Sequence, residues 1–473
     1  MTVTAARPGQ TYFAAGVRVL RLGRLPRPGR DDAGPPEDQA KELIELRQDI
    51  LSVTVTRPCS GAAQYCIVLN NWFDSLPRDR AQSVGPREQL ETATNQPVFP
   101  RFKYNDFKVL DFGMRLRIDM RYFPDPDPQL STTDRQAQRY VPMISGPISD
   151  MRFSFSDRDG ARLEVCGEDD LCILKNKNPN KVDYWARPEK EIVEDVLRRA
   201  GFPLPLSPPC KPWPTFTEST GKALAEAHFE GQSSLDYLTK FAERWDFEVF
   251  IEYTSLDDAN SGLEFHFEPS RSRCRPLPDG TLRGVYVVER GKNLIEFNPT
   301  LKVVDQWTSV TFCGHDHQWQ NPQMMCKTVP ERPSPLLPWP APGPDPDPLA
   351  DELPIDKERG DEPMVSGPEW RRRKFGLNPE TQNNQRGIDS ERALVMADAQ
   401  YRKRAREFLK IEAVTIGLPR LRAGRYVEFR GMRDPFDGFY YVEKSQHVYS
   451  DDGFLTSFTA RRPGMPYRPK PGP

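Results

Sequence analysis

The chain of 473 residues lacks any apolar run near the ~18 residues that a membrane span requires. It also lacks a dominant charge. With 66 basic and 68 acidic residues the formal net charge is −2, so no global field recruits nucleic acid or an anionic membrane. Histidine is scarce, at five residues, and His228, His266 and His447 stand far apart in sequence, each a packed or surface imidazole before it is a catalytic base. There is no GxSxG elbow, no HExxH pair and no GxxxxGK[ST] loop, which removes the usual signals for hydrolytic and nucleotide chemistry. The eight cysteines, at 59, 66, 166, 172, 210, 274, 313 and 326, include no CxxC pair. They are expected to be reduced, mostly structural thiols, and no disulfide framework is expected. Gly16 and Arg18 interrupt the one apolar stretch near the N-terminus, so no signal peptide is expected and the chain is read as folding in a cytoplasm.

What is present is β-rich and proline-rich. The length exceeds one hydrophobic core and predicts two to four packing units. Residues 51–56, 65–69 and 115–120 are short β-type runs, and the last places Leu116, Ile118 and Met120 opposite Arg115, Arg117 and Asp119. In "ISDMRFSFSDRDGARLEVCG" (148–167), Asp159-Gly160 separates two more strands, so residues 1–175 read as an antiparallel β unit with loops over 24–41 and 78–98. Residues 176–260 change character. "PEKEIVEDVLRRAGF" (188–202) has a helical apolar face ending at Gly201. "SSLDYLTKFAERWDFEVFIEY" (233–253) begins with Ser233 and Asp236 at capping-box spacing and runs into a strand from Glu248, which makes a small α/β unit.

Strand signals resume over 261–325. The segment 326–388 contains thirteen prolines between Pro330 and Pro379 and reads as an exposed, largely extended insertion or linker. Residues 389–465 read as a helix over 390–413, with Leu394, Ala397, Tyr401, Ala405 and Phe408 on its apolar face, followed by strands; 466–473 form a tail. The closing hairpin "GFYYVEKSQHVYSDDGFLTSFTARRPG" (438–464) turns at Gly453 and puts Phe454, Thr456, Phe458 and Ala460 on one face.

That hairpin has an echo. "YSDDGFLTSFTAR" (449–461) is similar to "FSDRDGARLEVCG" (155–167), and each follows a glycine with an alternating strand, "GMRLRI" (113–118) and "GRYVEF" (424–429). One β-domain used twice explains the match; the bland alternative is that antiparallel hairpins look alike.

Few residues suggest chemistry. In "CGHDH", Cys313, His315 and His317 project from one side of an extended run with Cys326 following, which is a zinc set in residue type but not in spacing; a strand end with solvated histidines needs no metal. The acidic groups "GEDD" (167–170) and "SLDD" (255–258) read as solvated turns. "RRRK" (371–374) and Arg402, Lys403, Arg404 and Arg406 read as solvated helix faces, with acidic neighbours and no aromatic interleaving for nucleic acid. No catalytic or cofactor-binding residues emerge, and protein–protein contact remains.

The order of parts resembles the phage late-control D and baseplate hub family, including the hub half of VgrG proteins. The resemblance is carried by "LSVTVTRP" with "YCIVLNN", "FGMRLRIDMRY", "MISGPISDMRFSFSDRDGARLEVCGEDDL", "EGQSSLDYLTKFAERWDFEVFIE", "WTSVTFCGHD" and the 390–464 block. It implies a mainly β fold with α+β parts: two tube-like antiparallel β-barrel domains plus a small α/β unit. It implies a non-enzymatic homotrimer, with six similar domains around a channel, joining a six-fold tail tube to a three-fold spike in a phage tail or contractile injection system. Expected partners are the tail tube protein, a separate spike protein and baseplate wedge proteins, with no nucleic acid, membrane or cofactor. VgrG chains continue into a needle where this one ends in "RRPGMPYRPKPGP", hence the separate spike. The resemblance also implies synthesis in a bacterial cytoplasm and incorporation into the particle. An alternative of another class is an all-β glycan-binding or glycan-cleaving protein using Trp185, Trp213, Trp307 and Trp319 as sugar platforms.

Overall fold

A computed structural model describes residues 14–23, 40–72, 90–91, 97–98, 102–123, 139–156, 160–184, 189–206, 226–254, 262–269, 285–316, 323–329, 364–386, 390–433 and 435–466. The first half contributes β1 (Ala14–Arg21), β2 (Ile50–Pro58), β3 (Gln64–Asn70), β4 (Arg115–Phe123), β5 (Val141–Ser156) and β6 (Gly160–Glu168). Their order in the sheet is β2-β3-β6-β5-β4-β1, antiparallel throughout. Strict alternation drives this: Val53 and Val55, Ile67 and Leu69, Leu163 and Val165 all fall on one face and form a single core with Leu116, Ile118 and Ile144. Each such side chain contributes roughly 1.5–3 kcal/mol by leaving water.

A central unit follows. It holds α1 (Glu189–Arg199), α2 (Ser234–Arg244) and the hairpin β7 (Phe247–Tyr253) and β8 (Leu263–Pro269). Ser233 Oγ accepts the Asp236 N–H at 3.0 Å, the cap its spacing predicted, and Gly201 closes α1 with φ +65°.

The second β unit has a first part, β9 (Tyr286–Glu289) and β10 (Leu294–Leu301), and a second part that begins after residue 405. Between them, β11 (Ser309–Asp316) pairs antiparallel with β12 (Gln323–Val329) and parallel with β13 (Pro379–Arg386). The helix α3 (Gly367–Phe375) precedes β13. The supposed linker therefore ends in ordered structure, with Val365, Ser366 and Gly367 buried. Its average composition is dominated by residues 330–363, which lie outside the described residues, and hides the last stretch.

The helix expected over 390–413 is shorter. α4 (Ser390–Ala405) gives way to β14 (Leu409–Ile416), because "LKIEAVTI" alternates with period two and buries Leu409, Ile411 and Ala413. Leu394 lies on the exposed side of α4, while Ala393, Met396, Ala397, Tyr401 and Ala405 pack with Phe241, Val249 and Phe312 in the central core.

β15 (Tyr426–Arg430), β16 (Gly438–Ser450) and β17 (Gly453–Arg462) complete the second unit. Gly453 sits at φ +120° in the closing turn, and Phe454, Thr456, Phe458 and Ala460 are buried as their alternation requires. The second unit's strand order is β10-β14-β17-β16-β15-β9, which repeats the first strand for strand.

The repeat holds at the level of register. Ser156 pairs with Gly160 and Ser450 with Gly453, and the β-bulge in each hairpin falls six residues earlier, between Ile148 and Asp150 and between Val442 and Lys444. A second pair of bulges matches as well, between Ile50 and Ser52 in β2 and between Leu294 and Glu296 in β10. One departure is that β9 runs parallel to β15, whereas β1 is antiparallel to β4. The two units join edge to edge through β16 and β2 in one continuous sheet.

Candidate assembly interface

The inner junction between the units fixes the register in which an edge of the second unit meets an edge of the first. Beyond its contact with β15, β16 offers its edge from Lys444 to Ser450 to β2, with Val448 opposite Thr54 and Lys444 opposite Pro58. In the first unit, β5 pairs with β4 only as far as Pro147 and with β6 from Ile148 onward. Its edge from Ser149 to Phe155, equivalent to the part of β16 that β2 covers, carries no strand among the described residues. At the other end of the sheet β10, the equivalent of β2, pairs with β14 on one side and with no strand on the other among the described residues.

Both stretches carry exposed apolar side chains among polar ones. Phe155 is 57% exposed, Ile295 53% and Leu301 41%. Beside β5 runs a chain of ring contacts from Trp72 through Phe102 (5.8 Å) to Phe155 (4.9 Å) and Phe153 (6.4 Å), then to Phe107 (6.1 Å) and Phe112 (6.2 Å). A strand edge unpaired among the described residues, with exposed apolar side chains beside it, is a pairing surface that natural sheets otherwise blunt.

The junction is riveted by buried ions that no motif announced. Arg57, at the end of β2, donates to the carbonyls of Ile251 (3.0 Å) and Met143 (2.7 Å) and lies 3.4 Å from Glu252. Arg422 donates to Glu252 Oε1 at 2.8 Å and to the Pro142 carbonyl. One carboxylate thus takes two guanidinium groups, tying both β units to β7. Burial lowers the Arg422 pKa to about 10 although Glu252 raises it. His447 is buried beside this cluster with Nε2 3.0 Å from the Leu421 carbonyl and Nδ1 3.0 Å from Thr456 Oγ1. Burial, and then the charge of Arg422, hold its pKa down to about 3, so the ring is neutral and the carbonyl assigns the proton to Nε2.

The "GEDD" run is not a solvated turn. Asp170 is buried and paired through both oxygens with Arg115, at 3.1 and 2.6 Å. Asp169 accepts the N–H groups of Ala63 (2.9 Å) and Leu171 (3.0 Å), while burial pushes its carboxyl up to about 7 against those donors. The turn crosses the sheet into the central unit, which buries it. "SLDD" lies outside the described residues.

Cysteine also departs from expectation. Cys66 faces Cys166 across β3 and β6, and Cys313 faces Cys326 across β11 and β12, each pair bonded as a disulfide. Residues 100 apart in sequence become cross-strand neighbours only through the register, so spacing alone concealed them. Cys59 and Cys172 stay outside these bonds, and Cys210 and Cys274 lie outside the described residues. The zinc set loses two donors, because the Cys313 and Cys326 sulfurs are spent on each other; His315 stands on β11 opposite Met324, and His317 lies outside the described residues.

The other histidines are packed: His228 stacks on Tyr237 at 4.7 Å and His266 on Phe250 at 4.6 Å. In "RRRK", Arg372 and Arg373 both bind Glu369 and Arg371 binds the Val304 carbonyl at 3.0 Å. Trp307 packs against the central core under Arg404, while Trp185, Trp213 and Trp319 lie outside the described residues. Among the described residues no helix is long and apolar enough to cross a membrane.

No protein-family model and no curated protein matches the sequence. Solved structures do match. The 43 kDa tail protein of prophage MuSo2 from Shewanella oneidensis aligns with a TM-score of 0.50 over 95% of this chain and 99% of that one, at 11% identity. The tail protein from Neisseria meningitidis MC58 aligns with a TM-score of 0.50 over 95% and 96%, also at 11% identity. The chain therefore has the mainly β, hub-type fold of phage tail proteins over nearly its whole length, as its resemblance to the late-control D and baseplate hub family implied.

Proposed function

We propose that the chain is a non-enzymatic structural component of a phage tail or contractile injection particle, in which three copies close a ring of six β units. The ring joins a six-fold tail tube to a three-fold spike, and baseplate wedge proteins surround it. The observation that carries this reading is the pair of open edges. β5 and β10 occupy the places of β16 and β2, so the edge of β5 in one copy suits β10 of the next in the way β16 already suits β2. Such a contact is heterologous and closes only as a ring or runs on as a filament. Two unlike copies per chain are what a three-fold ring with six similar positions needs.

The inner register predicts the outer one. Val448 opposite Thr54 translates to Ser154 opposite Asn298, and Lys444 opposite Pro58 translates to Asp150 opposite Lys302, an acid against a base. The chain carrying Ser154→Cys and Asn298→Cys should form disulfide-linked oligomers up to trimer on oxidation, visible on a non-reducing gel, and each single variant should not. Trimers without the cross-link would refute the register, and monomers would refute the ring.

A further inference from the structure

The polar face of the continuous sheet carries a feature that neither the fold nor the ring requires. At one level of the first unit, the strands β2, β3, β6 and β5 present Thr54, Cys66, Cys166 and Asp150 side by side. Glu164, two residues along β6 on the same face, lies close enough that its carboxylate oxygen and the two sulfurs are all within 4.8 Å of one another. All three residues are half-buried, so water and ions reach them. Among the described residues Glu164 is held through Oε2, by Arg152 Nη1 at 2.7 Å, and that arginine is 81% exposed. An exposed ion pair of this kind is worth less than about 1 kcal/mol and yields readily to a stronger ligand.

The second unit supplies a control built into the chain. Its equivalent row reads Asn298, Glu412, Thr459 and Lys444, on the same strand register. The ladder forms there without any cysteine, and the place holds a shallow polar cavity of about 250 Å³ lined by Glu412, Lys444 and Thr459 among others. The cysteine pair is therefore specific to the first unit and is not a requirement of the strand pairing.

We propose that Cys66, Cys166 and Glu164 form a redox-gated site for a thiophilic divalent cation of the zinc class, closed by the disulfide and opened by reduction. A dithiol or phosphine reductant supplies two electrons, the S–S bond breaks, and two protons from solvent complete two thiols. Binding of the cation then releases those protons as both sulfurs coordinate as thiolates, with Glu164 as the oxygen ligand and solvent in the remaining position. Two sulfurs and one carboxylate favour zinc over the hard cations magnesium and calcium, which take all-oxygen shells. Oxidation of the pair expels the metal, because a disulfide sulfur carries no charge to coordinate it.

The test uses the full chain carrying Cys313→Ser and Cys326→Ser, so that the second disulfide contributes no thiolates, reduced by a phosphine under anaerobic conditions and titrated with Co²⁺ as a spectroscopic probe for Zn²⁺. The expected result is one equivalent bound with thiolate-to-metal absorption, displaced by Zn²⁺, and no such binding by the oxidised chain. Glu164→Gln, which retains both cysteines, should weaken binding about tenfold or more. In the wild type Zn²⁺ should protect Cys66 and Cys166 from alkylation by iodoacetamide, as read by peptide mass spectrometry. An unchanged thiolate signal in the Cys66→Ser/Cys166→Ser variant, or no protection of these two residues, overturns the proposal. Neither outcome bears on the ring, which the cross-link tests separately.

Discussion

Glu252 is the residue on which the two β units and the central unit converge. Replacing it with glutamine strips Arg57 and Arg422 of the carboxylate they share, and removing one partner of a buried ion pair costs about 3–5 kcal/mol. Equilibrium urea denaturation of Glu252→Gln should show a loss of that size, whereas Glu164→Gln on the polar face should fall within about 0.5 kcal/mol of wild type. His447 has a pH signature. Folded, it binds a proton only near pH 3; unfolded, near 6.5, so the unfolded chain holds the extra proton between these values and stability falls as pH drops through that window. Asp169, raised to about 7, works in the opposite sense over roughly pH 4–7, so the histidine is isolated by difference. Relative to its value at pH 7, the stability of His447→Gln measured against wild type should rise by about 2 kcal/mol at pH 5. An unchanged difference would place a charged imidazole in the core.

At the scale of elements, strands were legible wherever apolar residues alternate, and the closing hairpin and the cap of α2 were written in short local patterns. The end of α4 was not, because "REFLKIEA" satisfies a helical face as well as a strand until its place between β10 and β17 decides the matter. The disulfides and the buried aspartates escaped for a related reason. Each depends on which strand lies beside which, and a sequence states periodicity but not adjacency. Arg57 left one faint sign, a charge at the end of the alternating run "LSVTVTRP" on the side of Val53 and Val55. The proposed edge pairing has its own consequence. Asp150→Lys, or Lys302→Asp, places like charges together and should weaken self-association by about tenfold or more, while the double exchange restores it. Concentration-dependent sedimentation would measure all three. Failure of the double variant to recover would place these residues elsewhere in the interface.

For the whole molecule, the internal echo between 113–167 and 424–461 proved more informative than any single motif. The structure extends it from two hairpins to six strands per unit, with bulges in matching places. Two copies share one sheet inside the chain, and among the described residues the equivalent stretches of β5 and β10 carry no strand. The reading as a ring-forming adaptor rests on that symmetry. Light scattering of the purified chain, at low micromolar concentration, addresses it most directly: a mass of three times 54.2 kDa is predicted, and a stable mass of 54.2 kDa across the concentration range would contradict it.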